Sequence, residues 1–277
     1  MKKIETEHKM TVDFIMYPGL KDELELKIKH LLIQAHSSKK IVDKRVKAII
    51  VPHAAWLHCD KIMVDAYAAV AKDEIEQVVI LSRVHREPSK DIFLPEFLSY
   101  NTPLGSLDVD QKALTQIADI NNIFKFDNIP HTEEHSIEVQ LPFIKYLWPE
   151  AKIIPILTGK PLISNTEKIS GALNTVLKNK MEKTLFIISS SLSSYNYEKI
   201  SREQTDNFIS KLNSKESWIK LPELLSKGSI SACSADCLCA VLNLLNEPPV
   251  IDVLTLDYGE SMDKNEKRVC FGAIAIT

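Results

Sequence analysis

Two histidines stand just past two short apolar runs. His53 follows Ile49-Ile50-Val51-Pro52, and His85 follows Val78-Val79-Ile80-Leu81-Ser82-Arg83-Val84. Both runs are rich in β-branched residues and read as strands buried on both faces of a sheet. In open α/β sheets the crevice for chemistry lies beyond the carboxyl ends of the strands. Two neutral imidazoles delivered to that edge can share a metal ion. The plainer alternative is a pair of loop histidines with no joint role.

Three further groups of residues carry chemistry. Cys233 closes the turn Ser231-Ala232-Cys233 ahead of an expected helix. A thiol there feels the helix dipole and is a soft ligand or nucleophile, or else a small buried residue. The string His131-Thr132-Glu133-Glu134-His135-Ser136-Ile137-Glu138 reads three ways. It is an H-x-x-E-H zinc-hydrolase signature using His131, Glu134 and His135, a helix start with solvated acids, or a polar wall of the same crevice. Pro130 directly ahead of it argues that any helix begins there. The run Ser189-Ser190-Ser191-Leu192-Ser193-Ser194 ends another expected strand, where hydroxyls either bind a substrate oxygen or anion or cap the next helix.

The elements that would position these residues alternate between strand and helix, which specifies α/β architecture. Expected strands are 46–51, 77–81, 152–157, 184–189, 250–256 and 268–276. Expected helices are 20–36, 60–71, 110–118, 134–147, 163–178, 197–212, 218–225 and 235–245. A mostly parallel central sheet flanked by helices, with an antiparallel contribution near the end, follows from the apolar inner strands and the more mixed last one. No Gly-rich or Ser/Pro-rich linker divides residues 1–277, so one domain is expected. The chain is 45% hydrophobic and 26% charged with a formal charge of -3. That is ordinary globular composition, with nothing to draw it to nucleic acid or to an anionic membrane. No apolar run reaches the roughly 20 residues of a membrane helix. The start of the sequence lacks the apolar core of a secretory signal, and a cytoplasmic location is expected. Five cysteines with no paired CxxC framework fit reduced thiols.

Several ordered stretches resemble the Memo-like family, also called AmmeMemoRadiSam system protein B. They are Tyr17-Pro18, Pro52-His53-Ala54-Ala55-Trp56, Leu81 to Arg86, Thr102-Pro103-Leu104-Gly105 with Val109-Asp110, Glu134-His135-Ser136-Ile137-Glu138-Val139-Gln140-Leu141-Pro142-Phe143, Pro155-Ile156 with Gly159, and Leu256 to Ser261. The resemblance implies a fold like that of class III extradiol (LigB-type) dioxygenases. It also implies a metal held by His53, His85 and Cys233, with Fe(II) or Cu suited to the mixed imidazole and thiolate set. His135 is then the acid/base candidate of a metal-dependent oxidoreductase of unidentified substrate. The chain departs from the family pattern where Ser191 and Ser194 replace an Asp and a His, and where Arg86 replaces a second His. Ser191, Ser194, Glu134 and Arg86 are therefore candidate substrate-binding groups. Loss of an acid and a base also implies an alternative, a non-catalytic Memo-fold protein that binds a partner or a small anion through Arg83 or Arg86. AMMECR-domain and radical-SAM proteins are partner candidates on resemblance alone.

Overall fold

Eight strands form one sheet in the computed structural model, which describes residues 6–37, 45–85, 89–245, 249–259 and 267–277. In chain order they are β1 (Ala48–Val51), β2 (Gln77–Arg83), β3 (Ile92–Leu94), β4 (Phe124–Phe126), β5 (Lys152–Thr158), β6 (Thr184–Ser189), β7 (Ile251–Tyr258) and β8 (Cys270–Ile276). Across the sheet the order is β7-β8-β1-β6-β2-β5-β3-β4. The inner four, β1, β6, β2 and β5, run parallel. β8 is antiparallel to β1 and to β7, and β3 is antiparallel to β5 while parallel to β4. The architecture is thus mixed, mostly parallel α/β, with the antiparallel contribution where the mixed composition of the last strand pointed.

The inner strands are buried almost throughout because helices cover both faces of a parallel sheet. Val51 lies opposite Ser189 in the β1/β6 ladder, Leu81 opposite Ile188 in β2/β6, and Arg83 opposite Thr158 in β2/β5. Four carboxyl ends therefore meet along one edge, and the loops that follow them face a common space.

The three-residue strands β3 and β4 were not expected, since such short runs carry no periodicity of their own. The region 134–147 also differs from the expected continuous helix. A short helix spans Asn128–Glu133, Glu134 is extended, a 3-10 turn spans Glu138–Gln140, and an α-helix begins only at Leu141–Leu147. Pro142 sits in the first turn of that last helix, where a missing N–H costs nothing. The reason for the break lies in the side chains. Glu134, Glu138 and Gln140 each bond to a distant segment rather than to their own turn.

Glu138 shows this best. Its carboxylate is buried and accepts from the Thr11 hydroxyl at 2.6 Å, the Thr11 and Val12 N–H groups at 3.0 and 3.1 Å, and the Tyr17 hydroxyl at 2.8 Å. This fastens the segment 11–17 beneath the loop that follows β1, where the Trp56 N–H donates to the Met16 carbonyl at 2.7 Å. The Trp56 indole donates to the Val139 carbonyl at 3.1 Å and stacks on Phe143, which stacks in turn on Tyr67. The loops after β1 and before Leu141 are thereby packed as one unit. Among the described residues no helix is long and apolar enough to cross a membrane.

Glu138→Ala removes a buried acceptor from four donors. We expect a loss of about 2–4 kcal/mol in urea unfolding, beyond what one neutral hydrogen bond contributes, with the segment 11–17 becoming the first site of proteolytic cleavage.

Candidate metal centre

Each of three donor residues reaches the carboxyl edge by a different route. His53 lies two residues beyond β1, between Pro52 and the helix Trp56–Val70. Pro52 stops the ladder, and its carbonyl accepts from Gln140 Nε2 at 2.9 Å. His85 lies two residues beyond β2, after Val84 has extended the β5 contact through its N–H to the Thr158 carbonyl at 2.9 Å. Cys233 precedes the helix Ala235–Leu242 and is held by its neighbour. The Ser234 N–H donates to Ser190 Oγ at 3.1 Å, and the Ser234 hydroxyl donates to the Ser189 carbonyl at 2.7 Å. The late cysteine is thus anchored to the end of β6.

These routes bring the three side chains together. One ligand atom from each of His53, His85 and Cys233 lies within 4.8 Å of the others. Cys233 Sγ is 3.5 Å from His53 Nε2 and 3.4 Å from Ser190 Oγ. The His53 and His85 rings are 5.2 Å apart and perpendicular. His135 forms a third wall, 5.7 Å from His53 and 6.2 Å from His85 between ring centroids.

Behind His85 stands Glu134. Its Oε1 accepts the His85 backbone N–H at 2.6 Å, and its Oε2 accepts from Nδ1 at 2.8 Å. A carboxylate on one ring nitrogen leaves the other, Nε2, turned toward the cluster, which is the arrangement that orients histidine ligands in metal sites. Hydrogen bonds to Cys233 and to Glu134 outweigh burial and push His85 up to about 10. Burial pushes the Cys233 thiol up, but the charges and hydrogen bonds of His53 and His85 pull it well below the ordinary thiol range. Burial also works against ionised Glu134, and the hydrogen bonds from His85 reverse it, leaving the carboxyl below its ordinary value. His135 is lowered by burial and by the charge of His53. The set is chemically coherent, with a Cys233 thiolate beside a protonated His85, whose Nε2 proton a metal ion would displace, and with His135 kept neutral next to them.

The remaining candidates are placed differently. Glu134 commits both oxygens to His85. Ser191 is half-buried, and its carbonyl accepts from the Ser190 hydroxyl at 2.8 Å. Ser194 is exposed, and its N–H donates to Ser231 Oγ at 2.9 Å. Arg83 ends β2, and its charge opposes the upward push of burial on Asp236, whose carboxyl stands at about 6. Arg86 lies outside the described residues. The H-x-x-E-H reading fails on geometry, since His131 is inside the helix Asn128–Glu133 and His135 lies beyond its end. His131 is buried elsewhere, with Nε2 donating to the Phe93 carbonyl at 3.1 Å and Nδ1 facing the Tyr100 hydroxyl at 3.0 Å. Burial pushes it down to about 3. Sequence reasoning missed Gln140 and the separate importance of Ser189. The signal was there in the density of polar residues from 134 to 140, directly ahead of an apolar helix.

A family profile described as Memo-like protein matches residues 9–273. The chain belongs to the Memo-like protein family. A MEMO1 family protein of Nitrosopumilus maritimus is 25% identical over 264 residues, covering 93% of this Memo-like chain and 95% of its own length. Another, from Caldivirga maquilingensis, is 28% identical over 220 residues and covers 78% and 77%. In fold the chain is similar to the crystal structure of an uncharacterized protein from Escherichia coli K12. That likeness has a TM-score of 0.56 at 10% identity and covers 84% of this chain and 100% of the other.

Of the five thiols of this Memo-like chain, Cys59, Cys237, Cys239 and Cys270 are raised by burial and only Cys233 is lowered. Because only the thiolate attacks, iodoacetamide should label Cys233 first in the metal-free protein. A lowered value also means that its rate should persist as pH falls below the ordinary thiol range of about 8.5, while reaction at the other four falls away. Peptide mapping by mass spectrometry reads both effects, and His53→Ala should slow the labelling.

Proposed function

We propose that this chain binds one transition-metal ion through His53 Nε2, His85 Nε2 and Cys233 Sγ, and acts as a metal-dependent oxidoreductase on a small molecule. The observation that carries the reading is the convergence of these three donors within 4.8 Å, with the Glu134 carboxylate on the far nitrogen of His85. Neither feature serves packing, since apolar side chains would fill the same edge without burying an acid. The donor set fits the group. Soft thiolate with imidazole suits Fe(II) or copper better than it suits magnesium or calcium.

Bound there, the metal would supply a Lewis acid or a one-electron centre. The protein supplies the rest. His135 faces both histidines but is not part of the three-donor cluster, and its lowered basicity keeps the imidazole neutral and able to take a proton from a substrate hydroxyl or bound water. His53 is buried, His135 and Cys233 are half-buried and His85 is exposed, so the cluster is partly screened from bulk solvent among the described residues. The dioxygenase-like fold that the family resemblance implies does not specify ring cleavage, so the reading stops at the reaction class.

Elemental analysis of the untagged protein tests it. Stoichiometric metal is expected in the parent and in His135→Ala, and none in His53→Ala or Cys233→Ala. Glu134→Gln should weaken metal affinity about 10- to 100-fold without abolishing it, as loss of an orienting partner does. Equal metal content in the parent and His53→Ala removes this reading.

A further inference from the structure

The partner of His53 is less obvious than the carboxylate behind His85. Its Nδ1 lies 3.3 Å from Ser189 Oγ, and a hydroxyl can either donate or accept. The surroundings of Ser189 remove the choice. The Ser136 carbonyl, which only accepts, is 2.6 Å from Ser189 Oγ, so the single hydroxyl proton points there. Gln140 Nε2 is 3.0 Å from the same oxygen. The orientation of that amide is itself determined, because Nε2 also donates to the Pro52 carbonyl at 2.9 Å while Oε1 accepts the Tyr67 hydroxyl at 2.9 Å. Turning the amide over would set its oxygen against the Pro52 carbonyl and against Ser189 Oγ, whose proton already points to Ser136. Ser189 Oγ has therefore spent its proton and filled one of two lone pairs. What it presents to His53 is the other lone pair. Ser189, Ser136 and Gln140 are all completely buried, so no water competes for these bonds.

We infer that Ser189, locked by Ser136 and Gln140, keeps a proton on His53 Nδ1 and so makes Nε2 the nitrogen that gives up its proton to a metal. Ser189 is a positioning residue, not a ligand. The inference deepens the metal-site reading and rests on it for its purpose, though the tautomer itself can be read without any metal. It also joins the two histidine loops, since the Ser136 carbonyl that orients Ser189 belongs to the residue next to His135. The two ligands are then oriented by different means, His85 by a charge and His53 by a neutral hydroxyl.

The test is long-range proton–nitrogen correlation NMR on 15N-labelled, metal-free protein at about pH 8, above the ordinary histidine range, with His53→Ala assigning the signals. The expected result is a protonated Nδ1 on His53 that persists when zinc is added as a diamagnetic probe, any proton on Nε2, which faces Cys233 Sγ at 3.5 Å, being the one that is lost. Ser189→Ala should mix the tautomers and weaken zinc binding about tenfold in a chelator competition. Ser189→Thr, which retains the hydroxyl, should keep both properties. Circular dichroism melting separates these effects from misfolding, and if Ser189→Ala does not fold, the parent spectrum still decides. A bare Nδ1 in the parent, or an unchanged tautomer in folded Ser189→Ala, overturns the inference. Failure of the parent to bind zinc overturns the metal-site reading instead, and the metal-free spectrum still decides the tautomer.

Discussion

The register of four parallel strands is the constraint on which everything else depends. Because side chains alternate faces with a period of two, a one-residue slip would reverse every inward residue of a strand. In β1, β6, β2 and β5 both faces are buried, so a slip has no solvent side to use. It would instead exchange residues between two packed layers of different shape. The ladder is held by packing, and its consequence is chemical. Val51 against Ser189 and Arg83 against Thr158 determine where the loops bearing His53 and His85 begin. A metal site needs its donor atoms placed to a few tenths of an ångström, and a ladder of backbone hydrogen bonds gives that precision at the origin of each loop.

Precision at the loop tips comes from the polar run 134–140. Burying polar groups is unfavourable unless each finds a partner, and in this run most of the partners lie on other segments. Glu134 holds His85, the Ser136 carbonyl holds Ser189, Glu138 holds residues 11, 12 and 17, and Gln140 joins Pro52, Tyr67 and Ser189. A helix through 134–147 would have turned these side chains to its own faces and broken nearly all of those contacts. The extended conformation at Glu134 and the 3-10 turn after it let successive residues point in different directions. Local helix propensity is a few tenths of a kcal/mol per residue, and hydrogen bonds to buried charged groups contribute about 1.5–3 kcal/mol each. The tertiary bonds win.

The electrostatics follow from this placement. A thiol beside two imidazoles becomes a thiolate, an imidazole held between that sulfur and a carboxylate becomes more basic, and an imidazole that is both buried and close to another becomes less so. Two histidines of one cluster, His85 and His135, are thus shifted in opposite directions. His131 shows the contrast, since the same residue type placed among Phe93, Tyr100 and His8 is a buried neutral strut.

The sequence by itself determined the fold class, the strands β1, β2, β5, β6, β7 and β8, and the nomination of His53, His85 and Cys233. The strands and two histidines are written locally, as β-branched runs of the right length with His53 and His85 just past their ends, while Cys233 joined them through the family resemblance. It did not determine which neighbours each donor would have. The ring contacts of His135, the grip of Glu134 on His85 and the orientation of Ser189 by Gln140 join residues 49 or more positions apart. No local pattern encodes such pairings, because they exist only once the register has been chosen and the loops have closed over the edge. The H-x-x-E-H string failed for the same physical reason, as its apparent helical spacing was overridden by bonds to segments distant in the chain.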